Sequence, residues 1–221
     1  MSFSPASKVR LTSRDLARFP GNTLFERIGR AVCAAGCLPR KELYEAWEVA
    51  RRVRRVLRGG RIVDVAGGHG LLGHILLILD DTSPSASVVD PAIPPSAGRI
   101  HTALVDAWPR LEGRVAYRAA TFDGADLVPG DVVVSCHACG ALTDTVLDRA
   151  ACARTGVAVL PCCHDKVTCD AGVLQGWLDS ALAIDVLRAT RLSARGYRVW
   201  TQAIPGAITP KNRLLIGEPL R

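Results

Sequence analysis

No apolar run in this chain is long enough to cross a bilayer. The most apolar helical stretch, LLGHILLIL at 71–79, is too short and holds a histidine. The opening residues lack the basic, apolar, small-residue order of an export signal. There is no internal repeat and no low-complexity tract. These absences set the expectation of a soluble, cytoplasmic protein with no membrane partner. What is present suffices for folding. The 221 residues, 48% of them apolar, can build one α/β domain with extra elements, or two small domains at most, and exclude general disorder.

Cysteine is plentiful. Six of the eight fall into three close groups, Cys33/Cys37, Cys136/Cys139 and Cys162/Cys163. Without an export signal, such grouping favours reduced thiols of a cytosolic enzyme, or a metal site, over disulfides. Charge is uneven. Residues 1–60 carry 13 Lys/Arg against 5 Asp/Glu, whereas the other 161 residues carry 15 against 16. A basic N-terminal segment points to a polyanionic partner, with RNA the natural candidate; the plainer alternative is a solvated arginine-rich face.

Residues 12–58 read as helices. In 41–57 the apolar positions 43, 46/47, 50, 53 and 56/57 form one stripe, with Arg51, Arg52, Arg54, Arg55 and Arg58 around it. Pro39 suits a first helical position, and Gly59-Gly60 stops the helix. From residue 61 short β-branched runs alternate with helical stretches. Strands are expected at 61–66, 86–90, 114–120, 131–135 and 156–161, and helices at 71–79, 141–153 and 171–196. The loop PAIPPSAG follows the second strand, and a hairpin over 197–204 and 212–219 closes the chain with an antiparallel edge strand. The alternation implies a largely parallel sheet covered on both faces. The expected organisation is a basic helical extension over 1–58 and an α/β domain over 59–221.

The first strand runs through DVAGGHG (64–70) directly into a helix. A strand-end acid, a glycine-rich turn and a helix N-terminus describe a nucleotide-type cofactor site. Phosphate-loop spacing and its lysine are missing. Gly68, Gly70 and Gly73 satisfy the dinucleotide pattern, with Asp90 about 20 residues on, so that reading stays open. Asp64 inside the strand argues against it, because a buried parallel strand should be apolar up to its first glycine.

The loop more closely resembles motif I of the class I S-adenosylmethionine-dependent methyltransferases, acid-x-Gly-x-Gly-x-Gly. Asp64, Gly68 and Gly70 match it, and Ala66 stands at the first glycine. The resemblance implies a Rossmann-like α/β fold with a mostly parallel seven-stranded sheet, an antiparallel C-terminal hairpin, and S-adenosylmethionine as cofactor. By the same resemblance Asp64 and the loop Ala66, Gly67, Gly68, His69 and Gly70 hold the methionine end. Asp90, followed by Pro91, meets the ribose hydroxyls, and Asp123, preceded by Phe122, meets the adenine. Ser135 and Cys136 end the fourth strand beside the cofactor. The plainer alternative leaves Asp90 and Asp123 as turn or cap residues.

Two Cys/His clusters, CHACG (136–140) and PCCH (161–164), follow the fourth and fifth strands. Three readings compete. A zinc site would draw on Cys136, Cys139, Cys162, Cys163 and His164, although a closed one would fill the pocket beside the cofactor. A catalytic thiolate beside His137 or His164 would suit C5 methylation of pyrimidines, as in RNA methyltransferases that place cysteines after these strands. Finally, H-A-C-G-A-L-T-D (137–144) with P-C-C-H resembles the catalytic domain of the tRNA 2′-O-methyltransferases that carry CHHC zinc knuckles. The knuckles are absent here, and Asp165 stands where that family has a second histidine. The resemblance implies an RNA substrate, with a tRNA ribose hydroxyl as acceptor. His137, Asp144 and His164 are the expected base or positioning groups, with Cys139 beside them. Lys166, Lys211 and Asn212 would orient the substrate, while Arg51 and Arg55 contact phosphates. The alternatives are a small-molecule or protein side-chain acceptor, and a non-catalytic, zinc-stabilised RNA-binding module.

Overall fold

The computed structural model describes residues 3–220. Helix α1 (Leu24–Ala35) starts at a capping box in which Thr23 and Glu26 satisfy each other's backbone N–H groups, and it stops at Gly36 in the left-handed conformation. Helix α2 (Arg40–Val56) follows. The chain then alternates through β1 (Ile62–Val65), α3 (Leu71–Leu79), β2 (Ala86–Val89), α4 (Ala97–Ala107), β3 (Val115–Arg118) and β4 (Val132–Ser135). It continues through α5 (Ala141–Ala153), β5 (Gly156–Val159), α6 (Ser180–Ala194), β6 (Tyr197–Ala203) and β7 (Arg213–Pro219).

The seven strands form one sheet in the order β3-β2-β1-β4-β5-β7-β6. Strands β1 to β5 are parallel, and β7 runs antiparallel to both its neighbours. Side chains alternate between the two faces. Ile62, Val132, Val134, Ala158 and Ile216 pack with residues of α1 to α4, whereas Val63, Val133, Val157 and Leu215 pack with residues of α5 and α6. Double coverage is why these strands read as unbroken β-branched runs. Among the described residues no helix is long and apolar enough to cross a membrane.

Four details differ from what the sequence pattern implies. Pro39 is the N-cap, not the first helical residue, because its ψ of 145° is extended. Helix α4 begins at the end of the loop PAIPPSAG and runs through residues to which the sequence pattern assigns no element; only Ala97, Ile100 and Leu104 of it are buried, too short a stripe to stand out. The 171–196 stretch divides into a 3-10 turn (Gly172–Gly176) and α6, with Asp179 capping the latter by accepting from the Leu182 N–H at 3.1 Å. The C-terminal hairpin adds the expected antiparallel edge strand: β7, with Leu214, Leu215 and Ile216 buried, inserts between β5 and β6, and β6 is that edge. Lastly, Arg54 is not part of a solvated basic face. It is buried where α2 meets α3, donates to the Leu76 and Leu57 carbonyls (both 3.2 Å) and the Ser83 hydroxyl (2.8 Å), and pairs with Asp80 at 3.4 Å.

Candidate functional site

The β1–α3 turn is shaped by close approach. A Cβ on Gly67 would lie 2.8 Å from Asp64 Cγ and Val88 Cγ1, and one on Gly70 (φ +72°) would lie 2.7 Å from Val88 Cγ2. Ala66, at the motif's first glycine, takes a positive φ of 52°, which costs an L-residue roughly 1–2 kcal/mol. Asp64 is buried and accepts the Gly73 N–H of α3 at 2.9 Å. Burial pushes its pKa up to about 7 despite that hydrogen bond.

Asp90, just past β2, ties two loops together. Its Oδ2 accepts the Gly68 N–H at 3.0 Å and its Oδ1 accepts the Ala92 N–H at 2.8 Å. The turn role is therefore real, yet each carboxylate oxygen keeps a lone pair. His69 is held by Ser96 at 2.9 Å, and its carbonyl accepts from the Tyr117 hydroxyl. At the end of β4, Ser135 Oγ donates to the Val65 carbonyl (2.7 Å) and accepts the Ala138 N–H (2.9 Å). That clasp sets the turn carrying Cys136 and His137.

These elements enclose a cleft of about 330 Å³ at the carboxyl edge of the sheet. Asp64, Ala66, Gly67, Gly68, His69, Asp90, Cys136 and His137 all line it. Gly70, Pro91, Phe122, Asp123 and Ser135 do not. Gly70 backs the loop against Val88, while Pro91 and Asp123 are solvent-exposed. Phe122 is buried under the Arg149 guanidinium. Burial raises the Cys136 thiol well above its usual pKa. His137 reaches solvent at the mouth, but the surrounding protein lowers its pKa by desolvation.

Two residues of the wall come from α2, Glu42 and Ala46. No sequence signal marks Glu42, which lies in the first turn of α2, outside the strand-end motifs. Its pKa is raised, first by burial and then by Glu45. A larger groove of about 760 Å³ between α1 and α4, lined by Arg27, Arg30 and Arg99 among small residues, touches none of the groups in the cleft.

CHACG and PCCH meet. The Cys139 and Cys162 sulfurs are 2.8 Å apart, and the Gly140 N–H donates to the Cys163 carbonyl at 3.2 Å. His164 turns away to Asp185 (2.8 Å), which also takes Arg213 Nε at 2.6 Å. Asp144 lies against Arg188, accepting from Nε at 2.9 Å and from a terminal nitrogen at 2.7 Å. Neither His164 nor Asp144 lines the cleft. Asp165 closes its own turn through Val167 and Thr168. Lys166 and Lys211 are exposed, and the Asn212 side-chain amide donates to the Ile204 carbonyl at 2.8 Å. On α2, Arg55 is exposed and Arg51 pairs with Glu48 at 3.3 Å.

No protein-family model matches the sequence, and no curated protein sequence does. Solved structures do share its architecture. The S-adenosylmethionine-dependent methyltransferase SibL, in its apo form, superposes with a TM-score of 0.54 at 21% identity over 93% of this chain. An O-methyltransferase family protein from Burkholderia thailandensis gives 0.52 at 18% identity over 99%. This chain has the Rossmann-like fold of S-adenosylmethionine-dependent methyltransferases. It spans 65% of each of those two chains. At these identities the likeness is one of fold.

Proposed function

We propose that this chain is an S-adenosylmethionine-dependent methyltransferase acting on RNA, with a tRNA ribose 2′-hydroxyl as acceptor. One observation carries the reading: the glycine turn with His69, the acids Glu42, Asp64 and Asp90, and His137 all share the 330 Å³ cleft. Its donors suit the cofactor. The free lone pairs of Asp90 match a pair of ribose hydroxyls, the Gly67 backbone leaves no room for a side chain, and a Cβ on Gly68 would meet nothing within 4 Å. Asp64 and the loop backbone would hold the methionine end.

The sulfonium supplies an electrophilic methyl group, so little covalent help is needed from the protein. The chain's task is to hold the acceptor in line, exclude water and take up the acceptor's proton. His137, its pKa depressed, is neutral at physiological pH and can accept that proton. Glu42 closes the cleft from the α2 side.

Asp64 makes ligand binding pH-dependent. An ionised carboxylate favours the cationic methionine end, so ligand selects the deprotonated form. Since the free group titrates near pH 7, affinity for S-adenosylhomocysteine should rise as pH increases through 7 and fall below it. From pH 8 to pH 6 calorimetry should show roughly a tenfold loss, and Asp64→Asn should flatten the dependence. A flat wild-type profile would remove Asp64 from the ligand's surroundings.

Support for RNA comes from the basic N-terminal segment and the tRNA 2′-O-methyltransferase resemblance. On α2 and just after it, Arg54 is structural and Arg51 and Arg52 are both paired with Glu48, so Arg55 and Arg58 are the arginines there offered as exposed phosphate contacts. The test is methyl transfer from labelled S-adenosylmethionine to total tRNA across a salt series. Activity should fall steeply with salt, and Arg55→Glu/Arg58→Glu should weaken tRNA binding about tenfold. Salt-insensitive turnover of a small molecule would refute the RNA part and favour the small-molecule reading.

A further inference from the structure

The cysteines beside the cleft form a group of their own. The sulfurs of Cys139, Cys162 and Cys163 all lie within 4.8 Å of one another, the one such cluster of metal-ligating side chains among the described residues. Cys162 and Cys163 sit 3.9 Å apart, close to the edge of roughly 3.8 Å that zinc–sulfur bonds of about 2.3 Å give in a tetrahedron. Cys139 is exposed and stands 2.8 Å from Cys162, inside that spacing, so ligation would move its sulfur outward by about 1 Å. No pair is joined, since all eight cysteines are free thiols.

The membership differs from the set considered on the sequence. Cys136 belongs to the cofactor cleft, and His164 is committed to Asp185. Three soft donors remain, two of them at the surface, so a fourth position faces solvent.

We propose that Cys139, Cys162 and Cys163 form a three-thiolate site for a thiophilic divalent cation of the zinc class, joining the loop after β4 to the loop after β5 and leaving one coordination position open. Such a site pins the turn that carries His137 without filling the cleft, which removes the objection that a closed zinc site would occupy the pocket. It does not depend on the methyltransferase reading.

The test is anaerobic titration of the full, reduced chain with Co²⁺, followed by Zn²⁺. One Co²⁺ per chain should bind with thiolate-to-cobalt charge-transfer absorption and the strong ligand-field bands of four-coordination, and one Zn²⁺ should displace it. Cys139→Ser and Cys163→Ser should each weaken binding at least as much as the roughly 10–100-fold typical of second-shell changes. Cys152→Ser and His164→Asn should leave stoichiometry and spectrum intact. Three results would overturn the proposal: no charge-transfer band in the wild-type chain, metal loss in His164→Asn, or a Cys139–Cys162 disulfide with no bound metal in protein isolated without reductant.

Discussion

Replacing Arg188 by Met should destabilise the protein by about 1.5–3 kcal/mol, the worth of its charge-assisted hydrogen bonds to two half-buried carboxylates, of which Asp185 keeps His164 and Arg213. Arg188 is 2% exposed. It holds Asp144 through two hydrogen bonds, approaches Asp185 at 3.4 Å, and donates to the Gly140 carbonyl at 3.0 Å and the Cys169 sulfur at 3.4 Å. It thus fastens the start of α5 to α6 directly behind CHACG. For a chain of this size the loss corresponds to a melting temperature lower by roughly 5–10 °C. Arg188→Met/Asp144→Leu should recover part of it, because an apolar pair of similar volume costs less than one stranded charge. A change below about 2 °C in the single variant would show that the network contributes little.

Asp90→Ala should weaken S-adenosylhomocysteine binding by at least about 100-fold in calorimetry, since two hydrogen bonds to a charged carboxylate are each worth roughly 1.5–3 kcal/mol. The same change frees the Gly68 and Ala92 N–H groups, loosening both loops. Because Asp90 is only partly buried, the melting temperature should move by a few degrees at most. His137→Asn is the complementary variant. It should bind S-adenosylhomocysteine within about twofold of wild type while turnover drops by about 100-fold or more, the range expected for loss of a proton acceptor. Equal affinity in Asp90→Ala and wild type would dismiss the cleft as the cofactor site. Binding of NAD instead would restore the dinucleotide reading.

The alternating strands and helices, the glycine turn and the two Cys/His motifs were legible because each is local. A strand covered on both faces must be β-branched along its length, and a turn with positive φ and close neighbours favours small residues whatever the rest of the molecule does. Asp64, Asp90, Cys136 and His137 could be nominated for the same reason, since all lie at carboxyl ends of strands or in the turns just after them. Helix α4 was hidden by its short apolar stripe, and the inner position of β7 by the absence of any local rule for strand order.

Partnership is a different matter, because it depends on which surfaces meet. Arg54 and Arg55 are neighbours with the same chemistry, yet packing of α2 on α3 buries one against Asp80 and leaves the other in water. Asp144 and His164 carry the motif's chemistry, but the approach of α6 commits them to Arg188 and Asp185. Glu42 enters the cleft only because α2 lies beside the glycine turn. The element pattern and the strand-end acids follow from local residue order alone. Which charges pair, which thiols cluster, and that α2 walls the cleft depend on packing between distant segments, which no local pattern encodes.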